Sequence, residues 1–209
     1  MFVRDYMARA PITIDKDTPV FKALGIMKNN KIRHLPVVSK GKLLGVVTEK
    51  NLFYLSPSPA TSLSIFEINS LMAEITVAEA MKKVPAVTPD TTLEKAALLM
   101  RENKIGGLPV VEGDALVGLI TESDIFDAMV KMFGYGKPGI RMVIEAKDRL
   151  GLIADITKII KDFDITIRSI VTIDKEDSKT DVVLRLGVVE PAPLVAALES
   201  NGFKVSYII

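Results

Sequence analysis

The sequence contains no cysteine, which excludes disulfide bonds, thiolate nucleophiles, zinc–thiolate sites and cysteine-ligated iron–sulfur clusters. It has one histidine, His34, and a single histidine cannot form a histidine-rich metal site within one chain. No phosphate-binding Gly-x-x-x-x-Gly-Lys-Ser/Thr motif is present, and no carboxylates show metal-ligand spacing. We therefore expect no catalytic site, no metal site and no required cofactor.

Long apolar runs and a charge bias are also missing. No run of 18 apolar residues predicts a transmembrane helix. Arg4 and Asp5 stand where a signal peptide would be apolar. The chain has 27 basic and 26 acidic residues, a net charge of +1, so a broad nucleic-acid-binding surface is not expected. These features predict a cytoplasmic protein without membrane insertion.

The strongest positive signal is an internal repeat. Residues 28–53 align with residues 101–126 without a gap, and 12 of the 26 aligned positions are identical. The similarity continues upstream, where residues 17–23 match 90–96 and residues 3–7 match 77–81. Two copies of one unit therefore occupy residues 1 to about 133.

Each copy is predicted to contain the same elements. A short strand precedes a helix that begins at Asp17-Thr18-Pro19, where a capping residue is followed by proline. A β-hairpin and a last helix follow, the latter beginning at Thr48 and Thr121. The predicted strands are residues 12–14, 34–38 and 43–47 in the first copy, and 86–88, 107–111 and 116–120 in the second. Between the copies, residues 56–59 predict a stiff linker and residues 63–72 a helix.

Residues 140–209 carry a different pattern, after a glycine-rich linker at residues 134–139. Apolar spacing predicts a strand at 141–146 and a helix at 152–163. A hairpin of strands 165–173 and 181–188, a helix ending at Leu198 and a strand at 203–209 follow. This βαββαβ order is ferredoxin-like.

Each copy contains Leu-Pro-Val-Val, followed by Gly, two apolar residues and Thr-x-x-Asp or its variant. This pattern resembles the CBS domain. Two such units in tandem resemble a CBS pair, or Bateman module. The stretch 148–156 resembles the ACT domain, a regulatory module that often binds amino acids. Together they resemble bacterial acetoin-utilisation proteins. The resemblance implies an α+β fold: tandem βαββα CBS units at 1–55 and 77–133, a linker and helix at 56–76, a linker at 134–139, and an ACT domain at 140–209.

The CBS resemblance implies two clefts that bind adenosine-containing ligands such as AMP, ADP, ATP or S-adenosylmethionine. Thr121 begins a helix whose N-terminus suits a phosphate, and Asp124 could accept ribose hydroxyls. The resemblance brings Ser123, Ala10, Ile12, Ile32 and Arg33 to the same cleft. The alternative is that Thr-x-x-Asp is only a capping box that starts the helix.

The first copy departs from the family pattern, because Asn51 stands where the family has aspartate. The resemblance implies a second, weaker cleft formed by Thr48 and Asn51 with Arg33 or His34 and with Ala86. We therefore expect one occupied cleft in each chain. The alternative for His34 is an ordinary surface strand residue.

The ACT resemblance implies an amino-acid site at Asp148, Gly151 and Thr166. Leu150 stands where proline is usual and Thr166 where asparagine is common, so the pattern is incomplete. The alternative role for this part of the chain is dimerisation.

Taken together, the sequence predicts a regulatory, non-catalytic, homodimeric protein. An adenine nucleotide would act as its regulatory ligand, and the ACT domain or a partner, such as a regulated enzyme or transporter, would transmit the signal. The alternatives are a ligand-free dimeric scaffold and an amino-acid sensor acting through the ACT domain.

Overall fold

The computed structural model describes residues 1–55, 64, 67–68 and 74–209. The chain divides into two compact units, Met1–Phe126 and Asp127–Ile209. The predicted linker at 56–59 and nearly all of the predicted helix at 63–72 lie outside the described residues. No helix in the described parts of the chain is long and apolar enough to span a membrane.

The elements of the first unit repeat in order. Its first copy contains a 3₁₀ turn at Val3–Asp5, β1 (Ala8–Arg9), α1 (Val20–Asn30), β2 (His34–Ser39), β3 (Lys42–Thr48) and α2 (Glu49–Phe53). The second copy contains a 3₁₀ turn at Val77–Glu79, α3 (Leu93–Asn103), β4 (Gly107–Glu112), β5 (Ala115–Thr121) and the start of α4 (Glu122–Met132), whose residues from Asp127 onward belong to the second unit. Both predicted hairpins are confirmed to within one residue at each strand end.

The two hairpins are related by an internal twofold axis. Their registers agree, including a bulge between Val37 and Val38 that recurs between Val110 and Val111. Strands β3 and β5 meet where Lys42 pairs with Ala115, and each of these residues is the repeat equivalent of the other. A contact between equivalent positions lies on the axis, so the axis passes through this pair.

The leading segments of the two copies are exchanged. Ala8 and Arg9 pair with Leu119 and Gly118 of the second copy. In the same way, Lys82 forms a bridge with Val46 of the first copy. Each copy therefore completes the sheet of the other, which the repeat alone did not predict.

The predicted strands at residues 12–14 and 86–88 are wrong in extent. Each is reduced to a one-residue bridge, Ile14 with Val37 and Val87 with Val110. The chain crosses from one copy to the other here, so it runs beside each strand only briefly. The predicted start of the first helix also needs correction, because α1 begins at Val20 and its N-cap, Pro19, makes no side-chain cap hydrogen bond.

The second unit confirms the βαββαβ order. It contains β6 (Ile140–Lys147), α5 (Leu152–Asp162), β7 (Ile167–Asp174), β8 (Lys179–Leu186), α6 (Ala192–Ser200) and β9 (Lys204–Ile208). The sheet order is β7-β8-β6-β9, and all its pairs are antiparallel. The core joins both helices to one sheet face through Met142, Ile144, Ile156, Leu184 and Leu198. Alternate residues of β6 and β8 therefore point away from the helices.

Candidate functional site

Asp124 is held at the start of α4 by Thr121. The Thr121 backbone N–H and its hydroxyl both donate to Asp124 Oδ2, each at 2.7 Å. The aspartate is partly buried, and its Oδ1 accepts no hydrogen bond from a described residue. One carboxylate oxygen thus stabilises the helix start, while the other is free to accept a bond from a ligand. The capping role and the binding role predicted from the sequence are compatible in one residue.

The equivalent position in the first copy has different chemistry. Thr48 Oγ1 donates to Asn51 Oδ1 at 2.8 Å and accepts from the Asn51 backbone N–H at 3.1 Å. The amide oxygen is neutral, and the threonine hydroxyl already uses it. A ribose hydroxyl would gain less from Asn51 than from Asp124, because hydrogen bonds to charged groups are stronger.

The segments that carry Ala10, Ile12 and Ala86 cross between the copies. The N-terminal segment pairs with β5 of the second copy up to Arg9 and then with β2 of the first copy at Ile14. Ala10 has a positive φ of 49° at this turn. The equivalent segment, which contains Ala86, pairs with β3 at Lys82 and with β4 at Val87. Ala10, Ile12 and Ala86 are all exposed, as is Ser123 in the first turn of α4.

Arg33 and His34 lie at the start of β2 but have different surroundings. The Arg33 carbonyl accepts from the Glu49 N–H at 3.0 Å, beside the start of α2, while its side chain is exposed and Ile32 is partly buried. His34 instead faces the second copy: a Cβ added at Gly106 would lie 3.2 Å from His34 Nε2 and 3.3 Å from Glu122 Oε2. His34 and its equivalent, Gly107, are thus neighbours near the internal axis.

The His34 ring is sheltered between the copies, and its pKa responds to that position. Burial lowers the pKa of His34, and nearby Arg33 lowers it further, whereas Glu122 raises it. The interpretation of His34 as an ordinary surface residue is therefore incomplete. Glu122 occupies a variable position within the Thr-x-x-Asp motif, so no sequence pattern marks it as a neighbour of His34.

The predicted ACT site is divided by the structure. Gly151, with a φ of 83°, begins α5, and Asp148 and Gly151 line a cleft of about 450 Å³. Thr172 and Thr180 also line this cleft, beside the ion pair of Arg149 and Asp155 at 2.5 Å. Thr166 does not line it, because this residue precedes β7 and the cleft lies at the opposite end of that strand, at Thr172 and Asp174.

Tandem units with exchanged leading segments, followed by a βαββαβ unit, define a regulatory CBS pair joined to an ACT domain. The CBS domain model matches residues 3–57 and 66–131, and the ACT domain model matches residues 140–203. The chain belongs to the CBS domain family.

Three solved structures show how the first two thirds of the chain resemble known proteins. A Vibrio cholerae protein assigned to acetoin utilization (AcuB) is 34% identical, with a TM-score of 0.53, over 66% of this chain and 98% of its own. Arabidopsis thaliana CBSX2 in complex with AMP is 28% identical, with a TM-score of 0.51, over 62% and 96%. The CBS domain pair of protein MJ0100, in complex with 5′-methylthioadenosine and S-adenosyl-L-methionine, is 26% identical, with a TM-score of 0.52, over 63% and 97%.

Proposed function

We propose that this protein is a regulatory sensor whose CBS pair binds an adenine nucleotide or S-adenosylmethionine, mainly in the cleft that contains Asp124. Binding would change the angle between the two CBS copies and transmit this change through the ACT domain or a partner. A ligand has this effect only if it binds the two arrangements with different affinity. The proposal keeps CBS units at 1–55 and 77–133 and an ACT domain at 140–209.

The observation that carries the proposal is Asp124 Oδ1, which accepts no hydrogen bond from a described residue and lies at the start of α4. A carboxylate beside such a helix end suits a ribose and its phosphate together. Two similar CBS pairs hold AMP and S-adenosylmethionine, so adenosine is the part their ligands share. The crossing segments at residues 10–14 and 82–87 support a cleft built from both copies.

Calorimetry with AMP, ADP, ATP and S-adenosylmethionine tests the proposal. We expect saturable binding of at least one ligand and a loss of roughly tenfold or more in Asp124→Ala, the cost of a hydrogen bond to a charged group. Asn51→Ala is the matched control, because it changes the equivalent position and should alter the main site little. No binding of any of the four ligands, or equal losses in both variants, would contradict the proposal.

A ligand-free dimeric scaffold is the second candidate. It is favoured by the two hydrogen bonds that Thr121 donates to Asp124 Oδ2, because a carboxylate that only caps a helix needs no ligand. This candidate predicts unchanged self-association in Asp124→Ala and no response of self-association to any of the four ligands, as measured by analytical ultracentrifugation.

An amino-acid sensor is the third candidate, favoured by the cleft beside Gly151. Because Thr166 lies at the other end of β7, the cleft would use Asp148, Thr172 and Thr180 in its place. Calorimetry with the common amino acids, repeated with Gly151→Val, distinguishes this site from the Asp124 cleft.

A further inference from the structure

The open face of the C-terminal sheet separates its charges into two ends. Strands β6 and β8 align Arg141 with Arg185 and Glu145 with Asp181. Their neighbours Met142 and Leu184 are buried in the core, so these charged residues lie on the face opposite α5 and α6. One end of the face therefore carries arginines, whereas the other end, the mixed end, carries these two carboxylates and the cross-strand pair Lys147 and Lys179.

At the mixed end, both carboxylates have cationic partners. Lys204 Nζ lies 2.7 Å from Glu145 Oε2, and Lys175 Nζ lies 2.6 Å from Asp181 Oδ2. Hydrogen bonding to Lys204 lowers the pKa of Glu145, and hydrogen bonding to Asp181 raises the pKa of Lys175. Each carboxylate of this end is therefore paired with a lysine.

At the basic end, the charges are not balanced within the described residues. Arg141 and Arg185 are direct cross-strand partners, a placement that destabilises a sheet when both residues carry the same charge. Arg168 lies beside them, since a Cβ added at Gly134 would lie 3.6 Å from Arg168 Cβ and 3.5 Å from Arg185 Cγ. We call Arg141, Arg168 and Arg185 the arginine cluster. None of the three forms an ion pair with a carboxylate in the described parts of the chain.

A chain segment crosses the face beside the arginine cluster and limits the space there. Ser169 Oγ donates to the Phe133 carbonyl at 3.1 Å, and Arg185 Nη2 donates to the Lys137 carbonyl at 3.2 Å. The Tyr135 ring lies 5.9 Å from Arg185 Cζ. Arg185 Nε is buried without a hydrogen-bond partner. Because this segment already occupies part of the face, an anion that binds the arginine cluster must be small.

We propose that the arginine cluster binds a phosphate group on the open face of the ACT domain, at a site separate from the Asp124 cleft. Guanidinium groups match the oxygens of a phosphate through paired N–H donors and remain charged at every physiological pH. A dianion would offset the repulsion between Arg141 and Arg185. The ligand class is therefore a small phosphorylated compound or inorganic phosphate.

The test is an NMR titration of the full chain with inorganic phosphate at low ionic strength. We expect saturable shifts of the amide signals of Ser169, Arg185 and Gly134. The double variant Arg141→Gln/Arg168→Gln should weaken binding by roughly tenfold or more, since it removes two of the three cationic donors of the cluster. The Asp124→Ala variant should keep these shifts, which makes this site independent of the nucleotide cleft.

Lys175→Gln and Lys204→Gln are the matched controls, because each removes one positive charge from the mixed end of the C-terminal sheet. Their phosphate affinity should stay within about twofold of the unmodified protein, as expected for screened surface charges. No saturable shift at Ser169, or equal weakening by the lysine and arginine variants, would overturn the proposal. Shifts confined to Thr121 and Asp124 would overturn it as well, and would assign phosphate to the nucleotide cleft. A phosphorylated sugar tested in parallel distinguishes a phosphate ester from free phosphate.

Discussion

At the scale of single residues, the two copies differ at a place where they meet. Arg33 and His34 in the first copy correspond to Gly106 and Gly107 in the second. The glycines leave room for the His34 ring, because a Cβ at Gly106 would approach it to 3.2 Å. This asymmetry places one histidine near the axis of the pair.

His34 predicts a pH-dependent stability. Its pKa is about 6.5 when unfolded and lower when folded, mainly because of burial. As the pH falls below about 6.5, the unfolded state binds the proton first, so the free energy of unfolding decreases until the folded pKa is passed. We expect a melting temperature that falls between about pH 7 and pH 5.5.

The control for this prediction is His34→Gln, which removes the only histidine. The histidine contribution should vanish, while the contribution of the carboxylates remains. An unchanged pH slope in this variant, or a melting temperature that rises as the pH falls, would show that His34 is not the responsible group.

At the scale of elements, close backbone contacts explain the glycines in the two equivalent strands. A Cβ at Gly45 would lie 2.6 Å from the Lys82 carbonyl oxygen and 2.7 Å from Met81 Cγ. At the equivalent Gly118, it would lie 2.6 Å from Met7 Sδ. Both glycines lie where the exchanged segment of the other copy crosses the strand.

We expect Gly45→Ala to lower the free energy of unfolding by about 1–3 kcal/mol, because the Lys82 backbone cannot move aside as a flexible side chain can. Gly25→Ala is the control, since no atom lies within 4 Å of its added Cβ and the residue is helical. That substitution should stabilise the protein by up to about 1 kcal/mol. Urea denaturation measures both changes, and a neutral Gly45→Ala would show that the exchanged segment is loosely held.

Local patterns predicted the elements better than their connections. The hairpins were predictable because short apolar runs and a turn mark His34–Ser39 and Lys42–Thr48 locally. The pairing of Ala8 with Leu119 joins residues far apart in sequence, so no local pattern encodes it. The same reason explains why Glu122 was missed: its relation to His34 arises only when the copies pack together.

At the scale of the whole molecule, exchange couples the two copies. Val3 and Val77 are both fully buried, and each donates a backbone hydrogen bond to the opposite copy: Val3 to Thr91 and Val77 to Thr18. Neither copy therefore completes its packing alone, and a change in one leading segment acts on the other copy.

We expect Val77→Ala to lower the free energy of unfolding by about 1–3 kcal/mol through the cavity it leaves. Hydrogen exchange should accelerate in β2 and β3 and also in β4 and β5, because the copies open together. Thr172→Ala, an exposed position in the second unit, is the control and should change neither. Acceleration confined to β2 and β3 would show that the copies open independently.

The exchanged segments also bear on how a duplicated molecule of this kind can arise. A single ancestral unit with this topology would lack part of its own sheet, and a second chain would have to supply the missing segment. Two such chains would form an interlocked pair. Joining the two chains end to end would turn a contact that depends on concentration into one that every chain makes with itself. Each half could then acquire side chains that the other half lacks.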